Sequence, residues 1–189
     1  MRSLLLSCSA SETGRAVEAE LTVERAGGRS VLRRQRIGYP LHITRGFYLD
    51  AARPDLLTLY LQSASGGLYA GDCIDLGVTV AADAAFHLTT QAATVVHEAR
   101  GGGAIQRQTL RVGEGAFCAV TTDPYVLFPG AGLALETTAI VAEDATLCLV
   151  DGFAVHDPQV RGRAFAEFAS RLTVTRPDGR LLLKDICRM

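Results

Sequence analysis

Apolar and polar residues alternate along most of this chain. Val17, Ala19, Leu21 and Val23 alternate with Glu18, Glu20, Thr22 and Glu24. Leu57, Leu59 and Leu61 alternate with Thr58, Tyr60 and Gln62, and Ile74, Leu76, Val78 and Val80 with Asp75, Gly77 and Thr79. A period of two puts each set on one face of a strand, so every such stretch predicts a half-buried β-strand. Ala26-Gly27-Gly28-Arg29 turns the first strand back into a segment with Arg33, Arg34 and Arg36. Glutamates facing arginines across a hairpin support each other, so a charge ladder is the plain reading and a protein-docking edge the alternative. Residues 1–15 show no period and read as a flexible lead-in. Residues 16–189 read as a single β domain. Ala164–Leu172 is ambiguous, because Phe165 and Phe168 are spaced as on a helix while Leu172 and Val174 continue as a strand.

The alternation is organised by an internal repeat. Val80–Thr90 (VAADAAFHLTT) recurs as Val112–Thr122 (VGEGAFCAVTT) and as Val141–Asp151 (VAEDATLCLVD), with starts 32 and then 29 residues apart. Each copy is a strand end, a small-residue turn with an acid, and a new strand. Glycine-rich bends and return strands (Ile105–Val112, Leu133–Val141) lie between copies. One such unit cannot bury its own apolar face, so stacked units sharing a core follow. The predicted fold is mainly β, with solenoid-like stacked antiparallel and mixed strands and little helix. The repeat also assigns faces. Phe86, Cys118 and Leu147 share one inward position, and Leu88, Val120 and Leu149 the next. His87, Ala119 and Cys148 then face outward. His87 and Cys148 sit two rungs apart, roughly 10 Å at about 4.8 Å per strand, too far to hold one ion together.

Between two predicted strands lies Ser65–Leu76, in which Gly66, Gly67 and Gly71 are followed at once by Asp72. Glycine belongs where the backbone takes positive φ or where another group comes too close for a side chain. A phosphate loop is excluded, because Asp72 stands where the lysine would be and no helix pattern follows. The plain reading is a tight connection with Asp72 bonding to nearby backbone.

Composition narrows the function. A net charge of −1, from 19 basic and 20 acidic residues, gives no electrostatic case for nucleic acid or an anionic membrane surface. Aromatics at 6% with no Trp argue against base-stacking or sugar platforms. No apolar run reaches the ~18 residues of a membrane helix, and the leucines after Arg2 are too few for an export signal. The five cysteines are widely spaced, with no CxxC, which suits mostly reduced thiols in a cytosolic protein. Neither a GxSxG elbow nor a metal-binding pair of histidines occurs. Asp72, Asp75, Asp123 and Asp151 all stand at strand ends, where turn capping is their plain role. Carboxylates joined by imidazole or thiolate can also carry Ni(II).

Four segments, in order, resemble the urease accessory proteins of the UreD (UreH) family. Gly66-Gly67-Leu-Tyr-Ala-Gly71-Asp72 is similar to the family's GGxxxGD signature, and Thr89–Thr94 (TTQAAT) to its TTQAATK segment. Gln106–Val112 resembles the strand that follows, and Asp123–Ala131 (DPYVLFPGA) its DPxIxFxGA segment. Val95-Val96-His97-Glu98 replaces the family's basic and aromatic residues after TTQAAT, and the family is usually longer at its C-terminal end. The resemblance implies a cytosolic, non-enzymatic scaffold that works with UreF and UreG to deliver nickel to apo-urease. It implies no tightly bound cofactor and only transient Ni(II). The resemblance carries over Asp72, Asp123 and Asp151; with Gly66, Gly67, Gly71, Thr89 and Thr90 they are the residues expected to serve nickel passage or docking, and Asp72, His87 and Cys148 are candidate transient nickel contacts. A metal-free β-solenoid adaptor binding only protein is the alternative.

Overall fold

The computed structural model describes residues 14–189. The chain runs β1 (Ala16–Ala26), β2 (Arg29–Ile37), β3 (Leu41–Ile43), β4 (Leu57–Ser63) and β5 (Cys73–Val80). It continues through β6 (Ala85–Thr90), β7 (Thr94–Val96), β8 (Ala104–Val112), β9 (Phe117–Thr121) and β10 (Tyr125–Leu127). It closes with β11 (Gly132–Val141), β12 (Thr146–Val150), β13 (Phe153–Val155), β14 (Glu167–Thr175) and β15 (Leu181–Arg188). No helix occurs among the described residues.

The strands form a seven-stranded sheet (β15-β14-β11-β8-β5-β1-β2), a five-stranded sheet (β12-β9-β6-β4-β3) and a three-stranded sheet (β13-β10-β7). Each coil of a solenoid contributes one strand to each sheet: β5-β6-β7, then β8-β9-β10, then β11-β12-β13. Pairing between coils is parallel in all three sheets, because successive coils run the same way and the other two sides supply the crossover that parallel strands need. Among the described strands, antiparallel ladders occur at the ends, at β1–β2, β3–β4 and β14–β15. The expected charge ladder joins β1 to β2, through Arg36 with Glu18 and Arg33 with Glu24.

The register confirms the assigned faces. Phe86 is opposite Cys118, and Cys118 opposite Leu147; Leu88, Val120 and Leu149 form the next inward row. Phe86, Leu88, Cys118 and Val120 are buried, whereas Leu147 and Leu149, on the edge strand β12, are half-buried. A fully buried side chain of this size contributes about 1.5–3 kcal/mol. The repeated turn is the same in all three copies: Ala84, Ala116 and Ala145 donate their N–H to the carbonyls of Ala81, Gly113 and Ala142.

Residues 164–172 resolve into strand. β14 pairs in register with β11 over Glu167–Thr175. Phe165 lies in the corner before β14 and Phe168 points inward from it, and both meet Phe153, with centroids 5.6 and 4.4 Å away. The helical spacing of the two rings is therefore the geometry of a corner. Of the lead-in, residues 1–13 lie outside the described residues, and Arg15 is bonded into the body of the fold. Among the described residues Cys118, Cys148 and Cys187 are free thiols, as the expectation of mostly reduced cysteines has it, and Cys73 is disulfide-bonded. Among the described residues no helix is long and apolar enough to cross a membrane.

Candidate functional site

The glycine stretch connects β4 in the five-stranded sheet to β5 in the seven-stranded one. It thereby forms the third side of the leading coil. Leu68 N–H donates to the Val95 carbonyl (2.8 Å), and His97 N–H to the Leu68 carbonyl (2.9 Å), so the stretch lies against β7. Gly67 makes this approach possible: its φ is +131° and a Cβ there would sit 2.3 Å from the Val95 oxygen. Asp72 ends the stretch and is 2% exposed. Its carboxylate accepts from Tyr69 N–H (2.8 Å), Arg15 N–H (3.1 Å) and Arg15 Nε (3.0 Å), and also pairs with Arg15 Nη2. Burial alone pushes this carboxyl up. The Arg15 side chain, the two backbone N–H groups and the Arg15 charge outweigh it and hold Asp72 below the usual carboxylate range.

Next to this stretch a cavity of about 330 Å³ opens in the solenoid, lined by Gly66, Gly67, Thr90, Gln91 and Asp123 among others. Thr90 Oγ1 donates to Asp123 Oδ2 (3.0 Å) and accepts from Asp123 N–H (2.8 Å). Farther along lies a smaller cavity of about 50 Å³, lined by Asp151, Thr137 and Leu172. Four residues border both cavities: Gln106, Gln108, Thr122 and Tyr125. Tyr125 is buried and hydrogen-bonded to the Gln106 side chain; burial first, and then the Asp151 charge, push its hydroxyl pKa up. Ser170 Oγ donates to Asp151 at 2.8 Å.

The structure thus gathers Gly66, Gly67, Thr90 and Asp123 around one cavity and sets Asp151 on the next. Gly71 (φ +77°) and Asp72 stand behind the first as its anchor. Thr89 donates to the Thr121 carbonyl (2.8 Å) and serves the sheet. The proposed nickel contacts do not meet. Asp72 is spent on Arg15 and Tyr69. His87 and Cys148 occupy the outward row two rungs apart. Among the described residues no group of three or more His, Cys, Asp or Glu could hold a metal ion.

Sequence reasoning missed Gln106 and Gln108, yet the signal was present. Leu110 and Val112 point inward, so the same parity puts both glutamines inside.

His87 is half-buried, its Nε2 2.7 Å from Thr121 Oγ1, and burial lowers its pKa. The unfolded chain then binds the imidazole proton more readily than the folded one. Stability is expected to fall as pH drops through the unfolded value of about 6.5 toward the lower folded one. His87→Asn should flatten that slope in urea titrations run across the window; an unchanged slope would refute the assignment.

A family model described as UreD urease accessory protein matches residues 15–189. The urease accessory protein UreD 3 of Bradyrhizobium sp. (strain ORS 278) is 76% identical over 189 residues, which is 100% of this chain and 67% of that protein. UreD 1 of Bradyrhizobium sp. (strain BTAi1) is 73% identical over the same coverage. UreD 1 of Methylorubrum extorquens (strain PA1) is 46% identical over 178 residues, 93% of this chain and 60% of that protein. The chain thus spans roughly two thirds of the length of these relatives.

Proposed function

Because the chain belongs to the UreD family of urease accessory proteins, we propose that it is a cytosolic, non-catalytic scaffold through which nickel reaches apo-urease, acting with UreF and UreG. One observation supports passage over simple docking: the two cavities share a wall of Gln106, Gln108, Thr122 and Tyr125, with the exposed Asp123 lining one and the exposed Asp151 the other. In an otherwise apolar core, polar groups are retained only where something compensates their burial. The carboxylates attract a divalent cation at either end. The scattered donors leave it free to move on, as delivery requires. Nickel is here the cargo, not a resident cofactor.

A bulky side chain at the shared wall tests this. Thr122→Phe, co-expressed with the urease subunits, UreF and UreG, should leave circular dichroism and partner capture unchanged. Urease activity and its nickel content should fall severalfold. Full activation by a folded Thr122→Phe protein would support the metal-free adaptor instead.

A further inference from the structure

The wall between the cavities is chemically out of place. Along the inner face of the large sheet, one row reads Val17, Ile74, Gln106, Leu135, and its neighbour reads Ala19, Leu76, Gln108, Thr137. Two amides therefore interrupt stacks that are apolar in the coils before them. Gln106 is hydrogen-bonded to Tyr125. Gln108 differs: its Nε2 is buried and has no hydrogen-bond partner in the protein. An unpaired buried amide destabilises a fold. A leucine would fit the same strand position, as Leu76 does in the preceding coil.

We infer that Gln108 is the neutral polar contact of the passage, its amide bonding the water shell of a hydrated divalent cation as it crosses between the two cavities. This rests on the passage reading above. Its neutrality is the point: a carboxylate here would bind the ion, and an aliphatic side chain would dry the wall. Conduction needs entry that is favourable and binding weak enough to leave. Asp123 and Asp151 supply the charge on either side, and Gln108 supplies polarity without charge between them. The amide is thus kept at the expense of stability, as functional positions are.

Gln108→Leu separates this from a structural role. It should raise the melting temperature by about 2–4 °C, because an unpaired amide becomes a packed aliphatic group, while nickel loading of co-expressed urease falls severalfold. Gln108→Asn should restore loading. A crystal structure of the unmodified chain showing ordered water on the Gln108 amide would support the inference, and a dry wall there would overturn it. Full loading by Gln108→Leu would also overturn it while Thr122→Phe still blocks. If neither variant reduces loading, the passage itself is wrong.

Discussion

Asp72→Ala is expected to lower the stability of the fold by about 3 kcal/mol, the lower end of the range for breaking a buried ion pair. The Asp72 side chain is 3% exposed and that of Arg15 29%, so the orphaned guanidinium keeps some access to water. The N–H groups of Arg15 and Tyr69 also lose their acceptor. The measurement is a urea midpoint at unchanged slope. A loss below about 1 kcal/mol would put the pair with ordinary surface contacts and refute the anchoring role. The pH dependence has a definite sign. A carboxyl held below its ordinary value stabilises the fold above the unfolded pKa of about 3.9. That stability disappears as pH falls through the lower folded value. Asp72→Ala should abolish this part of the acid sensitivity. Urease activation per folded protein, measured on the same variant, separates this anchoring from a direct part of Asp72 in nickel passage.

Gly67→Ala is expected to cost about 2–4 kcal/mol, from backbone strain and overpacking together. The obstruction is the Val95 carbonyl, which is backbone and cannot swing aside. Relief requires the stretch to lift from β7, losing the Leu68–Val95 hydrogen bond and deforming the first cavity. Gly66→Ala is the control. Its φ is +70° but its Cβ would meet only the Tyr69 hydroxyl, at 3.6 Å, so its cost should be near 1–2 kcal/mol. Equal losses for the two variants in denaturant titrations would show that close approach to β7 is not what Gly67 provides.

The solenoid was legible in the sequence because its repeated turn never changes length. The segments from Val80, Val112 and Val141 into the next strand correspond residue for residue, so inward rows such as Phe86–Cys118–Leu147 are set by the repeat alone. The parallel register follows only once the third side of each coil is seen, and that side is made of three-residue strands too short to show a period. The cavity was half legible. Gly66, Gly67, Thr90 and Asp123 were picked out as motif residues, but nothing in their spacing says that they face one space. Asp72 was picked out for its position, and its burial against Arg15 is a contact across 57 residues that no local pattern encodes. Gln106 and Gln108 went unnoticed because polar residues within an alternating stretch read as the wet face unless parity is counted from Leu110.

The first two coils differ in length by three residues, two of them at one corner and one in the β6–β7 connection. Val96 pairs with Leu127 and Ala104 with Leu133, so the corner after β7 holds two residues more than the corner after β10. The extra chain includes Gly101 and Gly102, where an added Cβ would meet nothing within 4 Å. Like slack taken up at one eyelet of a lace, it leaves the tension elsewhere untouched. A length change in the repeated turn would instead slip all following strands, and a slip of one residue exchanges inner and outer faces. The molecule can therefore vary in length by lineage at this corner without disturbing the interior, while the opposite corner is held to one length.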